Sequence, residues 1–195
     1  NRSTMYDLVT ACAEQVFIPL TVGGGIRGVD DVAKLLGAGA DKISVGSAGI
    51  SNPQLLNDIA TRFGNQVLVI SLDLKRSPKT ESGYVVTTHG GRNETDLDAL
   101  AWVKQTIELG AGELLVNSID ADGTRNGFDE EMLREIRAIA KIPVIASGGA
   151  GKAADFPVAA AAGADAILAA SIFHEGSVSI QDAKAALKAA GYETR

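Results

Sequence analysis

The chain has 195 residues, a hydrophobic fraction of 46%, a charged fraction of 22% and a net charge of −6. No run of Lys or Arg supplies the basic stripe that duplex binding needs, which argues against nucleic acid as a main partner but leaves room for a small anion held by backbone N–H groups. A single cysteine, Cys12, supports neither a disulfide framework nor a cysteine-based zinc cluster, and no apolar run approaches the ~18 residues of a membrane span, so a reducing, cytoplasmic setting without a membrane partner is expected.

In chain order, Met5, Leu8, Val9, Cys12 and Val16 fall at helical spacing and predict an amphipathic helix over 3–16, with Cys12 on its apolar stripe and therefore in the core. Residues 18–22 read as a short buried strand running into Gly23-Gly24-Gly25, followed by a helix over 29–36 and a strand over 41–45. Ser51-Asn52-Pro53 marks a helix start, with a capping side chain and proline in the first turn. Residues 67–72 are a continuous apolar strand closed by Asp73. The stretch 75–92 reads as a hairpin excursion in a long loop, built around Tyr84-Val-Val-Thr-Thr88. Leu97, Leu100, Ala101, Lys104 and Ile107 mark a helix, 113–118 a strand, 129–139 a helix, and 143–147 a strand ending in Gly148-Gly149. A short alanine-rich helix, a strand over 166–170 and a helix over 180–190 complete the chain. Six strands, each apolar on both faces and each followed by a helix, predict a parallel sheet covered by helices.

An internal repeat chooses between an open sheet and a barrel. Ile18-Pro19 recurs as Ile142-Pro143, Gly24-Gly25 as Gly148-Gly149, Asp31 as Asp155, Gly39-Ala40-Asp41 as Gly163-Ala164-Asp165, Ile43 as Ile167 and Ser47 as Ser171, without a gap and always 124 residues apart. The units 18–48 and 142–172 are therefore read as a duplication. The strands at 67 and 113 have no earlier mates at that offset, so two further strand–helix units are expected ahead of Asn1. The expectation is a single domain over 1–195: an α/β (βα)8 TIM-type barrel with two-fold internal repeat, six of its eight strands present and its first quarter missing.

In such barrels the working loops sit at the C-terminal ends of the strands. Gly25, Gly148 and Gly149 fall there, and the following strands end in Gly46-Ser47 and Ala170-Ser171, each offering N–H groups and a hydroxyl at the start of a helix. The alternative is that these glycines only make tight turns; their duplication favours two phosphate sites and hence a substrate phosphorylated at both ends. Asp73 at a strand end is a candidate general acid/base. Ser118, Asp120, Asp122, Gly123 and Thr124 form a polar loop. His89 and His174 have no metal-ligand spacing, so no metal is expected. Lys42 and Glu113 stand at the opposite, N-terminal ends of strands, as a buried ion pair with a missing partner or as a polar gate.

Together these motifs resemble a known family. Thr21-Val-Gly-Gly-Gly-Ile-Arg27, Gly39-Ala-Asp-Lys-Ile-Ser44, Ser71-Leu-Asp-Leu-Lys-Arg76, Thr88-His-Gly-Gly-Arg92, Gly110-Ala-Gly-Glu113, Ser118-Ile-Asp-Ala-Asp-Gly-Thr124, Ile145-Ala-Ser-Gly-Gly-Ala-Gly151 and Leu168-Ala-Ala-Ser-Ile-Phe-His174 are similar to the cyclase subunits of imidazole glycerol phosphate synthase, over essentially the whole chain. The resemblance implies a lyase of histidine biosynthesis that needs no cofactor. Such an enzyme takes glutamine-derived ammonia from a glutaminase subunit docked on the N-terminal face of the barrel. It converts a bis-phosphorylated ribulosyl formimino-carboxamide ribotide into imidazole glycerol phosphate and aminoimidazole carboxamide ribotide.

By position, the resemblance makes Asp73 one of two acid/base aspartates. It assigns Gly25, Gly46 and Ser47 to one phosphate site, Asp122, Gly123, Gly148, Gly149, Ala170 and Ser171 to the other, and Lys42 and Glu113 to the ammonia gate. Gly46 departs from the family's usual Asn and Asn117 from its usual Thr. The second aspartate belongs on the absent first strand, so a polypeptide of these 195 residues alone is expected to have little or no cyclase activity. The competing readings are the phosphoribosyl-formimino isomerase of the same pathway and a non-catalytic fragment that self-associates through open strand edges.

Overall fold

The computed structural model describes residues 2–195, with side chains from residue 5 onward. It divides into two compact units, Asn1–Ser71 with Gln105–Glu113, and Leu72–Lys104 with Leu114–Arg195. The first unit runs through α1 (Arg2–Ala13), β1 (Thr21–Gly23), α2 (Val29–Gly37), β2 (Lys42–Val45), α3 (Ser47–Ser51) and α4 (Gln54–Phe63) into the start of β3 (Leu68–Arg76). These strands pair in parallel, Thr21 opposite Lys42 and Ile43 opposite Leu68. Val32 and Leu35 of α2 and Leu55, Leu56 and Ile59 of α4 are buried with Ile43, Leu68 and Ile70, as their spacing along the helices requires.

The second unit contains the end of β3, then β4 (Tyr84–Thr88), β5 (Asn93–Asp98), most of α5 (Ala99–Glu108), β6 (Glu113–Ser118) from Leu114 onward, and α6 (Glu130–Ile139). It continues with β7 (Val144–Ser147), α7 (Asp155–Ala161), β8 (Ala166–Ile167), α8 (Ser171–His174) and α9 (Ile180–Ala189). β6, β7 and β8 pair in parallel, with Asn117 opposite Ser147 and Ile145 opposite Ala166. Phe156 packs edge-on against Phe128, with ring centroids 6.2 Å apart, and joins Ile172, Val178 and Ala183 in a buried cluster. Six parallel strands alternating with helices are the architecture of a (βα)8 barrel, with six of the eight strands in this chain.

The segments 18–48 and 142–172 share more than sequence. Asp41 Oδ2 accepts from Leu20 N–H at 2.8 Å, and Asp165 Oδ2 accepts from Val144 N–H at 2.9 Å. Asp31 Oδ2 accepts from Arg27 N–H at 2.9 Å, and Asp155 Oδ2 from Gly151 N–H at 2.8 Å. Ala40 donates to the Leu35 carbonyl and Ala164 to the Ala159 carbonyl, while Gly39 and Gly163 have φ of 107° and 105°. Each pair is 124 residues apart in the sequence. These aspartates recur because each fastens a backbone donor at a strand start or turn that no ladder reaches.

Several sequence expectations are corrected. The strand expected to close at Asp73 runs on to Arg76, because residues 73–76 change partner and pair antiparallel with β4, Asp73 opposite Thr87 and Arg76 opposite Tyr84. The excursion is correspondingly longer, its second arm reaching Asp98. That residue caps α5: burial works against its charge, but N–H groups of Ala101 and Ser82 hold its carboxyl below the ordinary range. β1 and β8 are shorter than expected and not buried on both faces, since each pairs with one strand among the described residues; Phe17 is 96% and Ile18 70% exposed. α1 ends at Ala13, three residues before the expected end, with Leu8 exposed and Cys12 only half-buried rather than in the core. Ser51 does not cap α4; its hydroxyl donates to the Ser47 carbonyl within α3.

Asp155 is buried and accepts from both Gly151 and Lys152, so Asp155→Ala strips two backbone donors of their acceptor and is expected to cost about 1–3 kcal/mol in urea unfolding. Tyr84 lies under the Arg76 guanidinium, 5.0 Å from the ring centroid, and its hydroxyl has no hydrogen-bond partner among the described residues. Burial, reinforced by the Asp129 charge, pushes its pKa up to about 12, above the ~10 of an unfolded tyrosine. The folded state then holds the phenolic proton more tightly, so this contribution to stability is complete below pH ~10 and is lost as pH rises towards the folded value. Tyr84→Phe should flatten the decline in denaturation midpoint across that window while leaving stability at neutral pH within about 1 kcal/mol.

Candidate active site

Asp73 is half-buried at the point where β3 passes from parallel to antiparallel pairing. Its backbone carbonyl accepts the Thr87 hydroxyl at 2.9 Å, and its Oδ1 accepts Asn117 Nδ2 at 3.1 Å. Just beyond, the Leu74 carbonyl accepts Ile119 N–H at 2.8 Å, and Asp120 Oδ2 accepts Arg76 N–H at 2.7 Å. The Arg76 side chain reaches Asp129 and Glu131 at 2.8 and 2.9 Å. The polar loop after β6 therefore divides. Ser118 and Thr124 are engaged in the loop's own bonds, with the Thr124 hydroxyl donating to the Ala121 carbonyl at 2.7 Å, Asp120 is tied to β3 through Arg76, and Asp122 and Gly123 are exposed.

Beside this loop the second glycine turn is packed backbone to backbone. Gly148 and Gly149 have φ of 87° and 107°, and Gly149 accepts Gly127 N–H on its carbonyl at 2.9 Å. A Cβ on Gly149 would overlap the Gly127 carbonyl, and one on Gly151 the Arg125 carbonyl. The turn is thus glycine both for its left-handed backbone and for this close approach. Arg125, itself at φ 61°, forms a two-oxygen ion pair with Glu175 at 2.6 Å, tying the loop to the end of α8. Ala170 precedes α8, and Ser171 is exposed at its first position.

The corresponding turn in the first unit is looser. Gly24 and Gly25 have φ of 91° and 70°, and a Cβ on either would meet nothing within 4 Å. Gly46 has φ of −116°, outside the region that requires glycine, and a Cβ there would lie 3.3 Å from the Ser71 carbonyl. Ser47 follows it as the first residue of α3. The φ at 46 does not itself demand glycine, although a side chain there would press on the Ser71 carbonyl; Ala170 stands at the matching place in the repeat.

Lys42 Nζ and Glu113 Oε1 form an ion pair within the first unit, at the starts of β2 and β6, with side chains 28% and 19% exposed. The missing partner envisaged for each is the other. Among the described residues no cluster of His, Cys, Asp and Glu could hold a metal ion; the His89 ring lies against the Thr88 hydroxyl at 3.1 Å. The Asn117–Asp73 contact was not foreseen as a contact, although alternation along the strands contains it. Residues 71, 73 and 75 of β3 and 113, 115 and 117 of β6 are the less buried positions, so Asp73 and Asn117 stand on such faces.

Parallel strands alternating with helices, and running at their C-terminal ends into glycine turns, are the pattern of a (βα)8-barrel protein. The chain belongs to the histidine biosynthesis protein family, which matches residues 1–179. It is 67% identical over 195 residues to the imidazole glycerol phosphate synthase subunit HisF of Leifsonia xyli subsp. xyli, covering all of this chain and 77% of that protein. The HisF subunit of Clavibacter michiganensis subsp. michiganensis is 62% identical over 195 residues, 100% of this chain and 74% of its own length. That of Streptomyces avermitilis is 59% identical over 196 residues, 100% of this chain and 77% of its own.

Because both ends of the Lys42–Glu113 pair are more than two-thirds enclosed, removing one leaves the other partly buried and uncompensated. Lys42→Met and Glu113→Gln are each expected to lower stability. A double-mutant cycle in urea should return a coupling of about 1–3 kcal/mol, and additivity would show the pair to be inert.

Proposed function

We propose that this chain performs the cyclase step of histidine biosynthesis, as a lyase in the cytoplasm. It would use ammonia to convert the bis-phosphorylated ribulosyl formimino-carboxamide ribotide into imidazole glycerol phosphate and aminoimidazole carboxamide ribotide. The observation that carries this reading is the 67% identity, over the whole chain, to a HisF subunit of imidazole glycerol phosphate synthase. The geometry supports it in three places. Asp73 has a carboxylate whose Oδ1 is already oriented by an amide, which suits a group that exchanges protons with substrate. The turns at Gly25 with Gly46 and Ser47, and at Gly148 and Gly149 with Asp122, Gly123, Ala170 and Ser171, offer N–H groups and hydroxyls for the two phosphates. The Lys42–Glu113 pair lies at strand starts, the face assigned to the glutaminase partner, where it serves as part of an ammonia gate.

In the proposed chemistry the two turns fix the substrate ends and Asp73 holds or releases a proton as ammonia adds and the ring closes. No cofactor is called for. The test is turnover of the bis-phosphorylated ribotide with ammonium ion as nitrogen donor, following release of both products. Ammonium-dependent turnover is expected of the protein carrying the complete eight-stranded barrel, and in that protein Asp73→Asn should reduce it about 10²- to 10⁴-fold, the usual worth of a positioned acid/base group. Isomerisation of the preceding intermediate without ammonia consumption would instead make the chain the pathway isomerase.

A further inference from the structure

We propose that Asn117 is a positioning residue for Asp73, its amide fixing which carboxylate oxygen is presented to the substrate; this rests on Asp73 being the acid/base group. A carboxylate has only acceptors, so Asn117 must turn Nδ2 towards Asp73 Oδ1, at 3.1 Å. Its own Oδ1 then faces the second glycine turn, where a Cβ on Gly148 would come within 2.8 Å of that oxygen and 2.8 Å of the Ser118 carbonyl. Gly148 thus leaves the room that the amide occupies, a role separate from any phosphate. The rest of the frame is tied by backbone register and hydrogen bonds. Asn117 is in register with Ser147 on β7, the Asp73 carbonyl is held by Thr87, and the next strand residue, Leu74, is bonded to Ile119. One carboxylate oxygen is therefore engaged by Asn117, and Oδ2 is the oxygen that meets substrate.

Asn117→Ala is expected to lower kcat of ammonium-dependent turnover about 10- to 100-fold with KM within about twofold, the signature of a group that acts on the reacting centre rather than on binding. Asn117→Thr, which keeps a donor but on a shorter side chain, should recover only part of the loss. Asn117→Asp, of the same shape but with an acceptor facing the carboxylate, should not. Asp73→Asn separates the two claims: if it turns over like the parent, the assignment of Asp73 fails, whereas a dead Asp73→Asn beside an Asn117→Ala of unchanged kcat overturns the role of Asn117 alone. A readout independent of turnover is the side-chain amide signal of Asn117 in a 15N–1H spectrum. It should move on Asp73→Ala, and a signal that stays in place overturns the proposal.

Discussion

The change of partner along β3 governs the candidate site. Up to Ile70 the strand runs parallel to β2, and from Asp73 it runs antiparallel to β4. Leu72 and Leu74 flanking the junction are fully buried, and the alternation of the strand leaves the position between them half-buried. That junction is occupied by Asp73. The hairpin then works as a buttress rather than a loose loop: Thr87 holds the Asp73 carbonyl, Arg76 reaches Asp129 and Glu131, and Tyr84 lies beneath the guanidinium. Lys75 and Lys79 both reach Glu94, whose carboxyl is held below its ordinary range by the hydrogen bonds from these two ammonium groups. A carboxylate placed where the ladder changes has both a solid backbone and an accessible side chain.

The glycine turns divide along a similar line. In the second unit, glycine at 149 and 151 is required by neighbouring carbonyls, so those positions are fixed by packing whether or not an anion binds. In the first unit Gly24 and Gly25 face open space and are held to glycine by backbone angle alone. Duplicated sequence has therefore come to rest on two different physical reasons. This also explains why a repeat is a better guide to local backbone than to the role of each residue.

Much of the fold was legible in the sequence because its signals were local. Apolar runs marked the strands, helical spacing marked α1 and α5, Ser51-Asn52-Pro53 marked the approach to α4, and a fixed offset matched one glycine turn to the other. What was not legible depended on partners distant in the chain. Nothing in residues 67–76 announces that the last four would pair with a hairpin, so the strand was ended too early. Ile18 and Leu168 have strand composition but too few neighbours to be enclosed, so β1 and β8 came out short. Of the candidate site residues, Asp73, Gly148 and Gly149 were singled out by position alone. The engagement of Asp120 with Arg76, and of Asn117 with Asp73, links residues 44 apart in each case and becomes visible only once β3 and β6 are in place.

The aspartates at 41 and 165, and at 31 and 155, bind the same backbone groups in each unit without borrowing a side chain from the other. A scaffold fastened this way is self-sufficient segment by segment, and the positions between the fasteners are released from matching one another. Lys42 against Ala166 and Gly46 against Ala170 are what that release looks like: one segment took up a charged pair while its counterpart stayed apolar, at no expense to the turns that both still make.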